Sequence, residues 1–262
     1  MSEIHLSLAG LGFRLFARDA SVPLDLHPNY AAFVTPSGDA DGGTYEVVTR
    51  ETDLGAPSAP AAGPAWESFI WRLTDVDPDK RLLEIRDLPG DTYLKVAMLS
   101  ADFGSGRILA RRRLPQPMYA INYPEEQLIL LNRLSHFDAG LIHSSGVVVD
   151  DRAYLFCGRS GAGKTTIERL WKAAGFRLLN DDRMVVRIID GIPYACSTPW
   201  HGEDPEVHPE RYPLGAVFHL NKAEENRLDP IEGAAAVARL YATTLAPFYS
   251  REGTLRVLDA YS

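Results

Sequence analysis

The sequence has little of three features that would each mark a class of protein. Two cysteines in 262 residues, Cys157 and Cys196, are too few for a disulfide framework, and neither has metal-ligating neighbours at zinc spacing. No apolar run approaches the roughly 20 residues that a membrane-spanning helix needs. A basic surplus is also lacking, because 27 Lys and Arg against 35 Asp and Glu leave a net charge of −8. These absences argue against secreted disulfide-rich, membrane-spanning and nucleic-acid-binding proteins.

The beginning of the chain mixes charges with short apolar pieces and does not read as a secretion signal. We therefore expect a soluble, cytoplasmic protein with reduced, buried thiols and no membrane partner. Hydrophobic residues make up 45% of the chain, enough for a core, and the length suits one large or two small domains.

The two halves of the sequence differ in texture. In the first half, short β-branched or aromatic runs are separated by turn residues, which predicts strands without any chemical motif. The predicted strands cover residues 45–49, 68–73, 82–85, 93–98 and 108–112. We expect a smaller β-rich domain over residues 1–118, with the boundary near Pro115 and Pro117.

The second half, residues 119–262, is predicted to be an α/β domain. A helix with an apolar face opens at residue 125, and strands then alternate with helices. Strands are predicted at residues 146–149, 153–157, 176–179, 184–189 and 216–220. Helices are predicted from the glycine-rich loop to a C-cap near Gly175, and over residues 232–242.

A phosphate-binding loop of the Walker A type lies between a predicted strand and a predicted helix. The pattern G-x-x-x-x-G-K-[ST] is matched in full by Gly158, Arg159, Ser160, Gly161, Ala162, Gly163, Lys164 and Thr165, and Thr166 follows. Glycines allow the backbone N–H groups to converge on one anion, and a helix N terminus favours phosphate. In such loops the lysine neutralises the β- and γ-phosphates, and the threonine hydroxyl ligates Mg²⁺. The motif predicts binding of ATP or a similar nucleotide with Mg²⁺.

Two adjacent aspartates, Asp181 and Asp182, are candidate carboxylate partners for the metal. The predicted helix runs away from the phosphates for about 16 Å at 1.5 Å per residue, and the next strand returns by about the same length. The chain should therefore reach the level of the loop at Asp181. A right-handed crossover would leave this strand beside the one that precedes the loop. One aspartate would take the metal and the other would face an acceptor, whereas a turn or cap pair is the plain alternative.

His143 is placed near the loop by a similar argument. If Asp150 and Asp151 close a tight hairpin, Val149 pairs with Arg152, and His143 falls opposite Gly158. A histidine there would sense or relay a proton, although a lone histidine is often structural.

These stretches together resemble a known family. Residues 143–149, the loop 158–165 and residues 175–183 are similar in order and spacing to the catalytic domain of HPr serine kinase/phosphorylase. The resemblance covers roughly residues 120–250 and includes a later strand and turn at residues 212–228. More distantly, phosphoenolpyruvate carboxykinases share the loop and the paired aspartates. The relatives continue into a final strand, so the resemblance implies a domain truncated at its C terminus.

The resemblance implies roles for individual residues. Asp181 would be the general base toward a serine hydroxyl and would contact His143, while Asp182 would hold Mg²⁺ with Thr165. Lys164 would hold the phosphates. The expected protein is a Mg·ATP-dependent serine kinase acting on an unidentified protein or peptide. A homo-oligomer is one of the oligomeric states left open.

Several alternatives remain open in the sequence. The glycine- and isoleucine-rich stretch of true HPr kinases is replaced here by residues 196–203, which puts HPr itself in doubt as substrate. The segment Trp200, His201, Gly202, Glu203 is either an acceptor or phosphate contact or a surface loop. Arg159, Arg183 and Arg211 would each neutralise transition-state charge or simply be exposed. A regulatory nucleotide-binding module and a small-molecule phosphotransferase are the competing functions.

Overall fold

The computed structural model describes residues 1–22, 24–50, 54, 66–86, 92–111, 119–159, 161–205 and 207–262. The protein is mixed α/β, with two large mixed sheets and few helices. It divides into two compact units, one comprising Met1–Ser7 and Leu11–Arg133 and the other Leu8–Gly10 and Leu134–Ser262. The main boundary between the units falls between Arg133 and Leu134, at the end of the first α-helix, whereas Pro115 and Pro117 of the predicted boundary lie outside the described residues.

The first unit contains a nine-stranded sheet. Its strands are β1 (Ser2–Leu8), β2 (Leu11–Ala17), β3 (Val34–Thr35), β4 (Gly43–Arg50), β5 (Trp66–Glu67), β6 (Trp71–Asp77), β7 (Lys80–Arg86), β8 (Tyr93–Ser100) and β9 (Ser105–Arg111). The sheet order is β3-β1-β2-β4-β9-β8-β7-β6-β5, and β4 runs parallel to both β2 and β9. A 3₁₀ helix (Pro28–Phe33) and α1 (Glu125–Leu134) complete the described helices of this part.

The strand predictions for the first half are partly right. Four of the five predicted strands overlap β4, β7, β8 and β9, although residue 112 at the end of the last one lies outside the described residues. The fifth, predicted over residues 68–73, overlaps β6 only from Trp71, because β5 ends at Glu67 and β6 begins at Trp71. β1, β2 and β3 were not predicted, although β2 alternates buried and half-buried residues with the period of a strand.

The second unit contains strands and helices, but four consecutive strands separate its first two helices, so the predicted alternation is only partly present. Its elements are β10 (Ala139–Val149), β11 (Arg152–Cys157), α2 (Lys164–Ala173), β12 (Arg177–Asn180), β13 (Arg183–Ile189), β14 (Ile192–Ser197), β15 (Arg211–His219), α3 (Gly233–Tyr241), β16 (Thr244–Leu245) and α4 (Arg251–Ala260). Of these, β14 and β16 were not predicted from the sequence. Gly175, predicted as the C-cap of α2, has a φ of +84° just beyond the end of that helix.

The pairing of the second sheet is centred on the long strand β10. β10, β11, β15, β14 and β13 pair in succession and return to β10, and β12 and β16 also pair with β10. The expectation that β12 lies beside β11 is wrong. Because β10 and β15 already occupy both edges of β11, β12 pairs antiparallel with β10, which separates it from β11.

A tight hairpin joins β10 to β11, as predicted. Asp150 and Asp151 have φ values of +48° and +57°, which is the left-handed backbone of a two-residue type I′ turn. The register pairs Val149 with Arg152 and ends at Ser144 with Cys157. His143 and Gly158 are therefore the next residues on the two strands.

The two faces of β10 pack against different groups. Val147 packs with Phe156 and Leu178 under Ile167 and Trp171 of α2. On the other face, Ile142 belongs to a buried cluster formed with residues of β11, β13 and β14. Side chains alternate along a strand, so His143, Ser145 and Val147 share the face that α2 covers.

Both cysteines are buried free thiols, and burial raises the pKa of Cys157 to about 11 and that of Cys196 to about 12.

Within the described ranges, none of the helices combines the length and apolar character needed to cross a bilayer.

Candidate active site

The predicted phosphate loop connects the end of β11 to the start of α2. Gly158 has no room for a side chain, because a Cβ there would lie 2.8 Å from the Cβ of Ala162. Ala162 donates its backbone N–H to the carbonyl of Arg159 at 3.0 Å, so the loop turns back on itself. Ser160, also predicted to bind phosphate, lies outside the described residues.

Two glycines give the loop a backbone that other residues adopt only with strain. Gly161 has a φ of +76° and Gly163 a φ of +112°. Apart from the adjoining residues of the chain and the helix backbone, no atom of the described residues lies within 4 Å of the point where either Cβ would stand. An anion can therefore approach the backbone closely on this side, which fits a phosphate group.

The N terminus of α2 also fits a phosphate. Its N-cap, Gly163, offers no side chain to the N–H groups of the first turn, so these remain available to an anion. The Lys164 ammonium donates to the Gly158 carbonyl at 3.2 Å, which keeps its charge beside the loop. Thr165 is half-buried, whereas Thr166 and Arg159 are exposed.

The aspartates that follow β12 lie at the level of this loop. The Asp182 carbonyl accepts a hydrogen bond from the N–H of Ser144 at 3.1 Å, and Ser144 pairs with Cys157, the last residue before the loop. Asp181 is buried and Asp182 is half-buried. The two carboxylates have different hydrogen-bond partners, which are side chains for Asp182 and backbone N–H groups for Asp181.

Asp182 is held by two basic side chains. Its Oδ1 lies 2.9 Å from His143 Nδ1, and its Oδ2 lies 3.2 Å from Arg183 Nε. Burial alone would raise the pKa of Asp182, but the hydrogen bond from His143 and the charges of Arg183 and Lys164 hold it below its usual range. Asp182 is therefore a carboxylate at neutral pH.

The contact of His143 corrects an expectation. The family resemblance implied that His143 would touch Asp181, the first aspartate, but its partner is Asp182. The cause is the register, which pairs His143 with Arg183 and so brings the histidine beside the neighbouring Asp182. Arg183 also approaches His143, with Nη1 at 3.3 Å from Nδ1.

Asp181 fixes a loop through its backbone. Its Oδ1 accepts the N–H of Gly202 at 2.6 Å, and its Oδ2 accepts the N–H of Asp204 at 2.8 Å. Glycine at position 202 eases this approach, because a Cβ there would lie 3.0 Å from Asp181 Oδ2. A carboxylate has about four lone-pair sites, so two of them remain for a further hydrogen bond.

The segment that includes Trp200, His201, Gly202 and Glu203 is therefore brought to the aspartates. Asn180 donates to the Trp200 carbonyl at 2.8 Å, Glu203 lies 3.1 Å from Arg169, and Lys172 pairs with Asp204. We name the stretch 200–204 the clamped loop. It joins the end of β12 to the surface of α2.

Arg211 is not brought to the site. It starts β15 and pairs with Cys196, whereas His219 at the other end of β15 pairs with Cys157. Eight residues of strand separate these ends by about 26 Å. Residues 218–222, beside the loop, contain no carboxylate, so the acidic groups come from β12 instead.

The described residues near the loop offer few protein ligands to a metal ion. In the part of the chain that the structure describes, no three His, Cys, Asp or Glu side chains are grouped so as to hold a metal. Mg²⁺ needs few protein ligands, because it keeps several waters and binds substrate phosphates with one or two carboxylates. Thr165 and the ionised Asp182 are the residues that would hold it.

Glu168 is a site residue that the sequence reading missed. Its side chain lies on α2 one turn after Lys164, is only 5% exposed, and faces Ser145 of β10. The spacing of Lys164, Ile167, Glu168 and Trp171 marks a single helix face, so a carboxylate on an otherwise packed face was the available signal.

No protein-family model matches this chain, and its comparison with curated protein sequences finds no match.

Proposed function

We propose that this protein is a Mg·ATP-dependent phosphotransferase with the fold of HPr-kinase-like P-loop kinases, acting on a serine of a protein or peptide. The observation that carries the proposal is the convergence of the glycine loop, Lys164 and the two aspartates at one end of the second sheet. Phosphoryl transfer depends mainly on placement and charge neutralisation, which is what these groups offer.

Each residue has a defined part in this proposal. The loop N–H groups and Lys164 hold the phosphates, and Thr165 and Asp182 hold Mg²⁺, which neutralises phosphate charge when bound. His143 orients Asp182 through the 2.9 Å contact. Asp181, with two lone-pair sites left, accepts the proton of the acceptor hydroxyl.

The contacts of Asp181 favour a second candidate, a regulatory nucleotide-binding module. Because both Asp181 oxygens accept backbone N–H groups of the clamped loop, this aspartate has a role in loop order that requires no catalysis. In such a module nucleotide occupancy would change the loop and so control a partner.

Transfer of label from γ-labelled ATP distinguishes the two candidates. Wild type and Asp181→Asn are incubated with Mg²⁺ and an extract of the source cells, with Asp151→Asn as the matched control because asparagine suits its type I′ turn. A labelled species with wild type and Asp151→Asn, weakened about 10²- to 10⁴-fold with Asp181→Asn, supports the kinase. Equal nucleotide binding by all three proteins with no label supports the module.

A further inference from the structure

Glu168 carries a buried carboxyl whose position the phosphate-binding roles do not explain. Its Oε1 and the hydroxyl of the nearby Ser145 are both buried, and neither makes a well-formed hydrogen bond to the described residues. An ionised carboxylate in such surroundings loses its water without full compensation. The uncharged form therefore suits the site better.

The charges around Glu168 favour the same form. It interacts with Asp181 after β12, with Asp204 in the clamped loop and with Lys164 on its own helix, and from β10 it meets Ser145, which does not titrate. Burial raises the pKa of Glu168 to about 7; Asp181 and Asp204 act in the same direction, while Ser145 and Lys164 oppose it.

We propose that Glu168 is a positioning residue for Asp181. While protonated, it leaves Asp181 free to hold the N–H groups of Gly202 and Asp204; once ionised, it adds a third negative charge beside Asp181 and Asp204 and loosens the clamped loop. Lys172 and Arg169 bind the loop from α2 but cannot replace these two backbone hydrogen bonds.

The clamp is a property of the fold and does not depend on the proposed transfer activity. The consequence of the clamp for catalysis does rest on the proposed function. The loop would present the acceptor to Asp181 only while Glu168 is protonated. The test is therefore made on the loop itself, without nucleotide.

Amide hydrogen exchange of Gly202 and Asp204, corrected for the intrinsic pH dependence of exchange, measures the clamp directly. In wild type, we expect their protection to fall about tenfold or more between pH 6 and pH 8, while amides of the β10–β11 ladder stay constant. Glu168→Gln, which cannot ionise, should keep the protection seen at low pH across the range. Asp181→Asn should lower it at every pH.

A second variant keeps the test decisive if Glu168→Gln folds poorly. Ser145→Ala removes a group that favours the ionised form, so the pH midpoint of loop loosening should move upward. The proposal is overturned if the wild-type protection of Gly202 and Asp204 follows the ladder amides at all pH values. It is also overturned if Glu168→Gln retains the wild-type pH profile, or if Ser145→Ala leaves the midpoint unchanged.

Discussion

The Nδ1 atom of His143 lies 2.9 Å from Oδ1 of Asp182, so the histidine orients the aspartate that we propose as the metal ligand. The link follows from the β10–β13 ladder, which fixes the backbone on both sides of the pair. A metal-binding carboxylate that is oriented by a neighbouring hydrogen bond loses affinity when that neighbour is removed.

His143→Ala should therefore weaken the binding of Mg²⁺ to the complex of the protein with nucleotide. We expect the apparent Mg²⁺ affinity of the nucleotide complex to fall about 10- to 100-fold. Titration of Mg²⁺ at fixed ATP measures it. His208→Ala is the control, because His208 contacts Arg177 at the opposite end of β12 from Asp182. Equal Mg²⁺ affinity in His143→Ala and wild type would refute this role.

Gly163→Ala should abolish phosphate binding, and this loss should be separable from the loss of stability that the same substitution causes. Gly163 and Gly175 both have left-handed φ values, +112° and +84°, and open space where a Cβ would stand. Alanine at either position should cost about 1–2 kcal/mol in the free energy of unfolding. Of the two variants, only Gly163→Ala would place a methyl group against a phosphate bound at the proposed site. Urea unfolding and ATP titration of both variants test this, and similar ATP affinity in the two would contradict it.

Glu168→Gln should change the pH dependence of stability. The folded-state pKa of Glu168 is about 7 against an ordinary value of 4.5, so the folded protein holds this proton more tightly than the unfolded chain. The resulting contribution is complete below pH 4.5 and is lost as the pH rises through 7. This contribution to the free energy of unfolding is about 3 kcal/mol at most.

Denaturant unfolding at pH 5 and pH 8 compares Glu168→Gln with wild type. We expect the variant to gain in stability relative to wild type at the higher pH. The idea fails if the difference between the two proteins is the same at both pH values.

Gly202→Ala should displace the clamped loop while leaving the nucleotide site intact. Its Cβ would lie 3.0 Å from Asp181 Oδ2, so one of the two must move. Overpacking of this kind costs about 1–3 kcal/mol. Amide exchange at Asp204 should accelerate, whereas ATP affinity should match wild type. Unchanged exchange at Asp204 would show that the loop accommodates the methyl group.

The sequence predicted the parts of this molecule that depend on local pattern. The hairpin at Asp150 and Asp151, the end of α2 at the left-handed Gly175, one residue after its C-cap Ala174, and the arrival of Asp181 at the level of the loop all follow from turn chemistry and element lengths. Most strands and helices of the second half were predicted for the same reason.

Pairing across the sheet was not readable from local pattern. The strand order places β10 between β11 and β12, and the register sends His143 to Asp182 instead of Asp181. Glu168 was missed because a carboxylate on a helix is normally exposed, and only the packing of α2 over Ser145 shows that it is buried. These features depend on tertiary contacts.

Calorimetric titration with a non-hydrolysable ATP analogue and Mg²⁺ tests the central claim, that the loop after β11 binds nucleoside triphosphate. The account predicts saturable binding by wild type and by the control Lys80→Ala, with affinity about 10- to 100-fold lower for Lys164→Ala. Absence of binding by well-folded wild type, or equal affinity in Lys164→Ala, would contradict it.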